Sequence, residues 1–516
     1  NNALPTIVNS NGSLSELPSD AVWKLPDKFE CDELIRALES LWHNPDMRFE
    51  LGTRAYEKIS TEHSPRLCAD MYAKAIEAFH NGPKNCRPSL IGELGRSDDL
   101  PAEDGSLAIL ASSIAQSLPS GRSAHQILVD ISALAQMDLK TGIQRVTRSI
   151  LRELLLNQPA GYRVEPVYSS PGQHCYRYAR EFTLRFLNLP VSGLRDDPIC
   201  TNPGDIFLGL DLHQNAILAQ VSYLQSLRNA GVRIFFIVYD ILPILKPEAF
   251  PPIIEEIHKN WLNSICCLSD GVICISQTVA DGVTEWLKTS ELRRLRPLMV
   301  DWFHIGADIE NSVPTQGLPD DSSLVLKLLS ARPSFLMVGT IEPRKGCLQT
   351  IAAFEQLWDS GVDANLVIVG KEGWKDFPEE LRRTIPEIVS RLRHHPELGR
   401  RLFWLEGISD EYLELIYATC TCLIAASEGE GFGLPLIEAA QHKLPIIARD
   451  IPVFREVAGN HAFYFSGKEP TDLAGTVVRW LELHESGKNP DSDGMPWLSW
   501  RQSTERLLSI ILDNRL

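Results

Sequence analysis

From Ile127 onward, short apolar runs rich in β-branched and aromatic residues alternate with longer amphipathic stretches. The runs of the first series are ILVDIS (127–132), IFLGLD (206–211), RIFFIVYD (233–240) and GVICIS (271–276). Between them lie helical patterns such as GIQRVTRSILRELL (142–155). Buried strands that alternate with helices are typical of a parallel sheet covered on both faces, so this pattern predicts a doubly wound domain.

A second series of apolar runs follows a stretch rich in Pro, Gly and Asp at residues 306–333, which we interpret as an interdomain connection. Its runs are FLMVGT (335–340), NLVIVGK (365–371), RLFWLEG (401–407), TCLIAAS (421–427) and KLPIIARD (443–450). The sequence therefore predicts an α/β protein with two doubly wound domains. When two such domains face one another, their active cleft lies where the carboxyl ends of both sheets meet.

The first 123 residues have a different pattern. Residues 1–26 are rich in Asn, Ser and Pro, which predicts an irregular leader, and residues 81–123 predict a polar linker with a short helix near residues 107–118. Two amphipathic helices are predicted between these segments. Their apolar stripes are Leu34, Leu38, Leu41 and Trp42, and then Leu67, Met71, Ala75, Ile76 and Phe79.

These two helices have a weak echo at the end of the chain. DELIRALESLW (32–42) and SPRLCADMYAKAIEAF (64–79) resemble in layout DLAGTVVRWLEL (472–483) and SWRQSTERLLSIIL (499–512). In both places the second helix opens with Ser-x-Arg. Two unrelated pairs of amphipathic helices explain the pattern equally well.

Composition narrows the class of protein. The 516 residues contain 50 Lys or Arg and 67 Asp or Glu, and the net charge of −17 disfavours nucleic acid and unaided binding to anionic lipid. No uninterrupted apolar run approaches the ~18–20 residues of a membrane span. The 11 Cys are scattered without a CxxC pair, which disfavours zinc and favours a reducing, cytoplasmic setting.

EGEGFGLPLIEAA (428–440) is the strongest chemical signal, because it joins a predicted strand to a Gly-rich turn and a helix start. Free backbone amides at a helix start attract phosphate, and glycines such as Gly431 and Gly433 permit close approach of a ligand. The carboxylates of Glu430 and Glu438 can accept hydrogen bonds from sugar hydroxyls. A turn with two solvated glutamates is the alternative, but the full string is more specific than a lone GxG.

VGTIEPRKG (338–346) is the second signal, again directly after a predicted strand. Arg344 and Lys345 lie in a tight turn bounded by Pro and Gly, where two cations can neutralise a diphosphate leaving group. An ordinary basic surface turn explains these residues when they are taken alone. Their position at the same sheet edge as the Glu-rich turn favours the functional interpretation.

Together these motifs resemble those of the retaining glycosyltransferases of family 4, whose GT-B fold has two Rossmann-like domains facing a central cleft. The resemblance covers about residues 125–516. It implies an acceptor domain at 125–315, a nucleotide-sugar donor domain at 316–485, and a C-terminal helix at 486–516 that packs back towards the first domain. Residues 1–80 form an extra helical segment that resembles the end of a preceding transferase, followed by a linker at 81–124. The start at Asn1, without Met, fits a cut through a longer tandem protein.

The resemblance also implies site residues in the donor domain. Glu430 and Glu438 match the ends of the family's E-x7-E motif, the first on the donor sugar and the second on the nucleotide ribose. Lys345 matches the lysine on the diphosphate, and Arg344 is its neighbour. Thr340 follows Gly339 where many members carry Arg, so the division of labour between Arg344 and Lys345 stays open. The remaining donor-binding residues implied here are Gly339, Gly431, Phe432, Gly433 and Leu434.

In the acceptor domain, TGIQRV (141–146) resembles the loop that faces the donor phosphates, with Gly142 as the donor-binding residue. VYDILPILKPEAFP (238–251) resembles an HD-x-x-P segment with Tyr239 in place of His. Asp240 is then a catalytic candidate that orients or deprotonates the acceptor hydroxyl, although capping of a local turn is an equal alternative. For Ser276 and Thr278, a role at a helix start is favoured over catalysis.

The implied activity is retaining transfer of a hexose, mannose from GDP-mannose, onto a growing bacterial surface polysaccharide such as the O-antigen of lipopolysaccharide. A transferase that uses a dTDP- or UDP-sugar such as rhamnose is an alternative, as are a phosphorylase or epimerase and a non-catalytic module that binds a glycan or a partner. A nicotinamide oxidoreductase is disfavoured, because no GxGxxG follows a strand.

The motifs place no carboxylate nucleophile beneath the anomeric carbon, so we expect catalysis by positioning and charge stabilisation from Lys345 and Arg344. No cofactor or metal is expected, and the DxD string at residues 491–493 lies in a Pro/Gly loop. The expected partners are the nucleotide sugar, a glycan acceptor with or without a lipid carrier, and a membrane-associated protein, with no nucleic acid. The chain itself is expected in the cytoplasm, either free or peripheral at the inner face of the cytoplasmic membrane. Residues 381–401 carry six Arg, and a solvated helix face is favoured there over a membrane-facing one.

Overall fold

The computed structural model describes residues 2–80, 92, 94–96, 110, 124–137, 142–170, 172–190, 195–290, 292, 294, 296–308 and 315–513. It divides into two compact units, Asn1–Gly121 and Arg122–Leu516. The linker predicted at 81–124 and its short helix lie almost wholly outside the described residues, as does the side chain of Phe79.

The first unit opens with a small parallel sheet rather than the predicted irregular leader. Strands β1 (Ile7–Asn9) and β2 (Trp23–Leu25) pair with Ile7 opposite Trp23, and Leu25 is buried. The leader prediction was wrong because each strand has only three residues, too few for an alternating pattern to be recognised.

Within residues 31–80, three helices follow this sheet, where the sequence pattern predicted two. They are α1 (Cys31–His43), α2 (Pro45–Glu62) and α3 (Pro65–His80). The side chain of Asn44 accepts a hydrogen bond from the Met47 amide, so the Asn44-Pro45 step ends α1 and begins α2. The helix α2 was missed because its apolar residues form no continuous stripe.

The second unit contains two sheets. The strands of the first are β3 (His125–Asp130), β4 (Tyr162–Tyr168), β5 (Arg177–Tyr178), β6 (Ile206–Gly209), β7 (Arg233–Val238), β8 (Gly271–Cys274) and β9 (Met299–Trp302). Their order is β5-β4-β3-β6-β7-β8-β9, and only the β4–β5 pair is antiparallel. Its helices are α4 (Ser132–Gln136), α5 (Gly142–Leu156), α6 (Arg180–Phe186), α7 (Gln214–Ala219), α8 (Val221–Asn229), α9 (Leu242–Leu245), α10 (Pro252–Leu268) and α11 (Gln277–Thr289). We call residues 124–308 the first half.

Residues 315–485 are called the second half, and its sheet is entirely parallel. The strands are β10 (Ser334–Val338), β11 (Asn365–Val369), β12 (Leu402–Leu405), β13 (Cys422–Ala425), β14 (Ile446–Arg449) and β15 (Phe463–Phe465). The order β12-β11-β10-β13-β14-β15 is that of a Rossmann domain. The helices are α12 (Ser322–Ser330), α13 (Cys347–Asp359), α14 (Ile385–Arg393), α15 (Asp410–Thr419), α16 (Leu434–Gln441), α17 (Pro452–Ala458) and α18 (Pro470–Glu485).

Both sheets are covered on both faces, as the unbroken apolar runs predicted. Along β3, Ile127 and Val129 join one buried cluster while Leu128 joins another, and Leu336 and Phe335 divide between two clusters in the same way along β10. One of these clusters contains residues of both halves, so the halves share part of their core. The last helix, α19 (Trp500–Leu512), packs against α5 of the first half.

The echo between the two ends of the chain is stronger in the structure than in the sequence. The parallel pair β14–β15 followed by α18 repeats the order of β1–β2 followed by α1. Both helices begin with a glutamate N-cap in a capping box, Glu30 with Glu33 and Glu469 with Asp472. The match includes both the strands and the helix caps, and two unrelated pairs of helices do not explain it.

Candidate active site

The two predicted motifs lie at the point where the strand order of the second sheet reverses. VGTIEPRKG follows β10 and EGEGFG follows β13, and these two strands are neighbours in the sheet. Loops that leave such a point at the carboxyl ends of the strands form the ligand crevice of open α/β sheets. A cavity at this edge is lined by residues of both loops, including Gly339, Lys345, Ser427, Glu430 and Gly433.

Glu430 is the centre of a buried charge cluster. Lys345 Nζ lies 2.5 Å from Glu430 Oε1, and Arg344 Nη1 lies 2.9 Å from Glu430 Oε2. Ser427 Oγ donates a third hydrogen bond, of 2.6 Å, to Oε1. Burial alone raises the pKa of the Glu430 carboxyl, but the charges of Lys345 and Arg344 outweigh it and lower the pKa to about 2. Glu430 is therefore ionised at neutral pH.

Arg344 is held from three sides. It pairs with Glu430, it lies 2.9 Å from Glu342 through Nη2, and its Nη1 donates to the carbonyl of Gly429. Burial lowers the pKa of the guanidinium, yet Glu430, Glu342 and then Asp240 raise it above its usual value. The structure thus brings both predicted cations to one carboxylate.

The Gly-rich turn needs its glycines for close approach. A Cβ on Gly431 would lie 2.1 Å from the Tyr239 carbonyl oxygen of the first half, and Gly433 has a φ of 101°. Gly433 is the N-cap of α16, whose first residues are Leu434 and Pro435. Phe432 is buried, with its ring 5.3 Å from the His304 ring.

Glu438 lies in α16 and is only 3% exposed. Arg145 Nη1 of the first half donates to Glu438 Oε1 at 2.6 Å, and the Tyr417 hydroxyl donates to Oε2 at 2.7 Å. Both oxygens of the second motif glutamate are therefore engaged before any ligand binds. Arg145 and Tyr417 were not predicted as site residues, because neither lies in the E-x7-E motif, although Arg145 falls within TGIQRV (141–146).

Asp240 lies against the Gly-rich turn. Its Oδ1 accepts a hydrogen bond from the Leu242 amide at 3.0 Å, so the turn cap that was one of the two alternatives is present. A Cβ on Gly431 would also lie 3.3 Å from the Asp240 Cβ, which places the carboxylate at the cleft. Tyr239, in contrast, is buried and donates to the Leu210 carbonyl, so its hydroxyl belongs to the core.

Ser276 and Thr278 have the structural role that was favoured. Ser276 is the N-cap of α11 and accepts a hydrogen bond from the Val279 amide, while its hydroxyl donates to the Gly431 carbonyl. Thr278 donates to Glu456 of the second half through its amide and its hydroxyl. Both residues therefore join the two halves.

Glu456 in α17 is an interdomain residue that the sequence pattern did not reveal. It accepts hydrogen bonds from the amides of Gln277 and Thr278 at the start of α11, and His304 Nε2 lies 2.7 Å from its Oε1. Burial raises the pKa of the Glu456 carboxyl, but the bonds from His304 and Thr278 outweigh it and lower the pKa to about 2. A carboxylate at a helix start is also favoured by the helix dipole.

Gly142 begins α5, and a Cβ there would meet no atom within 4 Å. Its donor-binding role stays a prediction, because residues 138–141 before it lie outside the described residues. Asp130 is buried at the carboxyl end of β3, where it accepts hydrogen bonds from Ser132 and Tyr176. Burial raises the pKa of the Asp130 carboxyl to about 7, although the hydrogen bonds oppose it.

The described residues contain no group of three or more His, Cys, Asp or Glu arranged to hold a metal ion. Asp491 and Asp493 of the DxD string are exposed. No helix in the described part of the chain is long and apolar enough to cross a membrane. In the Arg-rich stretch 381–401, Arg391 pairs with Glu355 and Arg401 with Glu397, as expected for a solvated face.

Comparison with known proteins gives one family match and several relatives. Residues 325–494 match the family described as "Glycosyl transferases group 1". The chain is 47% identical over 389 residues to the serotype-specific mannosyltransferase WbdA of Escherichia coli, an alignment that covers 75% of this chain and 45% of WbdA. It is 28% identical over 250 residues to the O-antigen chain mannosyltransferase RfbU of Salmonella typhimurium, covering 48% of this chain and 61% of RfbU.

The chain spans less than half the length of WbdA. Among solved structures, Anabaena Alr3699/HepE in complex with UDP and glucose has a TM-score of 0.52 at 16% identity, covering 75% of this chain and 99% of that one. Sucrose-phosphate synthase from Thermosynechococcus elongatus has a TM-score of 0.51 at 16% identity, covering 75% and 98%. The predicted GT-B fold and the resemblance to bacterial O-antigen mannosyltransferases are thereby confirmed.

Proposed function

Since residues 325–494 match the group 1 glycosyl transferases, we propose that the chain transfers a hexose from a nucleotide sugar to a growing bacterial surface polysaccharide. The donor is GDP-mannose, the acceptor is a glycan of the O-antigen type, and the anomeric configuration is retained. The observation that carries the proposal is the buried Lys345–Glu430–Arg344 cluster at the strand-order reversal of this domain. The 47% identity to WbdA supports mannose as the sugar.

In this proposal, the second half binds the donor. Lys345 and Arg344 stabilise the negative charge that develops on the leaving diphosphate, and amides of the turn before α16 bind its oxygens. Glu430 accepts hydrogen bonds from sugar hydroxyls, and Glu438 accepts them from the ribose. Because both cations already neutralise Glu430, its carboxylate is fixed in position before the donor binds, which lowers the cost of ordering it.

The first half supplies the acceptor side. Asp240 lies beside Gly431 and Arg344, where its carboxylate orients the acceptor hydroxyl or takes its proton. The hydroxyl attacks from the face that the diphosphate leaves, which accounts for retention without a covalent intermediate. A bond forms between the acceptor oxygen and the anomeric carbon as the bond between that carbon and the diphosphate oxygen breaks.

Metal independence is part of the proposal, and chelation by EDTA should leave the transfer rate unchanged. A loss of transfer that Mg²⁺ or Mn²⁺ restores would contradict it. The net charge of −17 repels anionic lipid, so the proposed route to the inner face of the membrane is a lipid-linked acceptor or a partner protein. Binding to anionic vesicles that lack acceptor lipid would contradict that route.

We also propose that residues 1–80 correspond to the closing elements of another donor domain. Counted from their caps, Leu38 in α1 matches Val477 in α18, yet Leu38 is 53% exposed while Val477 is fully buried. In a longer polypeptide with a donor domain ahead of residue 1, Leu38→Asp should destabilise that domain. In the present chain the same change should leave thermal unfolding unaltered, and equal effects in both would contradict the correspondence.

The test of the main proposal is a transfer assay with GDP-mannose and a mannan acceptor, with NMR of the new linkage. We expect turnover by the wild-type chain with an α-linked product from the α-linked donor, and none by Glu438→Ala. Glu505→Ala, at an exposed ion pair with Arg501, is the matched control and should retain full activity. Transfer from UDP- or dTDP-sugars but not from GDP-mannose would contradict the proposed donor. Binding of a glycan without turnover would favour a non-catalytic module.

A further inference from the structure

Arg145 is the one first-half side chain within the described residues that bonds to either glutamate of the E-x7-E motif. It lies in the first turn of α5, and Glu438 lies 293 positions further along the chain. The distance of 2.6 Å between Arg145 Nη1 and Glu438 Oε1 makes this a charge-assisted hydrogen bond across the two halves. The side chain of Glu438 is 4% exposed and that of Arg145 is 25% exposed.

The surroundings of Glu438 leave it few orientations. Its other oxygen accepts a bond from the Tyr417 hydroxyl, and the Tyr417 ring stacks on the His442 ring at 5.3 Å. Arg145 and Tyr417 therefore hold the carboxylate from opposite ends. Each carboxylate oxygen can accept two hydrogen bonds, so one acceptor position on each oxygen is left for a ligand.

The charge balance explains why an arginine is needed here. Glu438 is buried, and an unpaired buried carboxylate is costly, so without Arg145 its side chain would turn towards water. A displaced Glu438 accepts hydrogen bonds from ribose hydroxyls less well. Burial opposes the charge of Arg145, but Glu438 raises the pKa of its guanidinium above the usual value, so Arg145 stays charged beside the carboxylate.

We propose that Arg145 is a positioning residue for the donor nucleotide. It holds the Glu438 carboxylate oriented for the ribose hydroxyls, and because it comes from the other half it makes tight donor binding depend on closure of the two halves. This inference rests on the proposed function, since it concerns the same donor site. The Nε atom of Arg145 is buried without a hydrogen-bond partner among the described residues, so the guanidinium retains a donor beside this site.

A cycle of two changes tests the proposal: removal of the Arg145 side chain and removal of the ribose hydroxyls. The probes are GDP and 2′,3′-dideoxy-GDP, measured by calorimetry with the wild-type chain, Arg145→Ala and Arg145→Lys. We expect the wild-type chain to bind GDP at least tenfold more tightly than dideoxy-GDP. In Arg145→Ala this preference should fall below threefold, and Arg145→Lys should restore part of it.

The matched control is Arg383→Ala, which removes another contact between the halves. Arg383 Nε donates to the Phe250 carbonyl and does not touch Glu438. The control should leave the preference for ribose hydroxyls intact even if it weakens closure. Kinetically, Arg145→Ala should raise the KM for GDP-mannose tenfold or more and change kcat less than threefold, with thermal unfolding as a check on folding.

Four results separate the possible failures. Equal weakening of GDP and dideoxy-GDP by Arg145→Ala would overturn the positioning role, because the residue would then act through the phosphates or through closure alone. A similar loss of preference in Arg383→Ala would overturn the specific role of Arg145. Absence of GDP binding by the wild-type chain would overturn the proposed donor and this inference together, whereas normal GDP binding by Arg145→Ala would overturn this inference only.

Discussion

The two halves of the second unit share a Rossmann-like sheet but contribute to the site in different ways. The second half supplies a cluster of ionised side chains, Lys345, Arg344 and Glu430, at the reversal of its strand order. The first half supplies single contacts to the turn and helix beside that cluster: the Tyr239 carbonyl, Asp240 and Ser276 lie against Gly431, and Arg145 bonds to Glu438. The same fold therefore carries a charge cluster in one half and contacts to its surroundings in the other.

The difference lies in what occupies the corresponding sheet edge. In the first half, β3 and β6 flank the reversal of strand order. Asp130 is the last residue of β3, and Asp211 follows β6. Both carboxylates bind local groups, because Asp130 accepts a hydrogen bond from the Ser132 amide and Asp211 accepts one from the Leu134 amide. In the second half, the equivalent edge carries glycines, the start of α16 and a cluster in which Lys345 and Arg344 pair with Glu430. The two edges therefore differ in their side chains, although the strand order reverses at both.

The largest expected effect comes from removing a cation from the second half. Lys345→Met should lower kcat/KM by about 10²–10³-fold, because a preorganised charge on the leaving diphosphate is lost. Glu430 keeps Arg344 and Ser427 as partners, so the variant should remain folded. Lys288→Met, at an exposed lysine paired with Glu285, is the control and should be fully active. Similar activity of the two variants would remove Lys345 from the mechanism.

A change in the charge of Asp240 tests whether the first half does more than close the site. Asp240→Asn keeps an oxygen that can accept the Leu242 amide but removes the carboxylate. We expect kcat to fall by about 10²-fold, as for other proton-transfer groups, with the KM for the donor unchanged. Steady-state kinetics with saturating acceptor would measure this. Unchanged kcat would assign Asp240 to the turn alone.

A substitution at Gly431, where the two halves are in contact, should have a smaller but still measurable effect on activity. Gly431→Ala places a Cβ 2.1 Å from the Tyr239 carbonyl oxygen, so the halves must shift apart. A small displacement of the reacting groups should lower kcat/KM by about tenfold or more. Gly475→Ala, where a Cβ meets no atom within 4 Å, is the matched control. Full activity of Gly431→Ala would show that the turn does not need this approach.

The smallest effect concerns the stability of the joined halves. Glu456→Gln should lower the free energy of unfolding by about 1–2 kcal/mol at pH 7, through weaker hydrogen bonds to the start of α11. Bonds to His304 and Thr278 hold the pKa of the Glu456 carboxyl at about 2 in spite of burial, so its contribution is full above pH 4.5 and is lost as pH falls from 4.5 towards 2.

Denaturant unfolding at several pH values measures this difference. The gap between wild type and Glu456→Gln should close as pH falls, whereas Glu505→Gln, at an exposed pair, should show little gap at any pH. A gap that is independent of pH would mean that Glu456 is not held ionised by its partners.

The strands of the sheet centres could be predicted from the sequence, because runs such as RIFFIVYD and NLVIVGK are buried on both faces and contain few polar residues. Other strands could not. The β4 sequence YRVEPVY (162–168) contains Glu165 and Pro166 and mixes one exposed, three half-buried and three buried residues, so its pattern resembles a loop. Residues 463–465 form a strand that is too short to show a period.

Site residues could be predicted only where they lie together in a short sequence motif. Glu430, Lys345 and Arg344 lie in compact motifs, and the structure brings all three into one cluster. Arg145 and Glu456 were missed because their partners lie 293 and 178 positions away. Arg145 falls within TGIQRV (141–146), but nothing in that string identifies Glu438 as its partner.

The central claim is that the second half binds a nucleoside diphosphate through Lys345 at its strand-order reversal. Thermal unfolding of the wild-type chain and of Lys345→Met, each with GDP, UDP or dTDP, tests it most directly, because a ligand bound at 100 times its Kd stabilises the folded state by about 2.7 kcal/mol. We predict that GDP raises the Tm of the wild-type chain and leaves that of Lys345→Met unchanged. An equal rise in both proteins, or no rise with any of the three nucleotides, would contradict the claim.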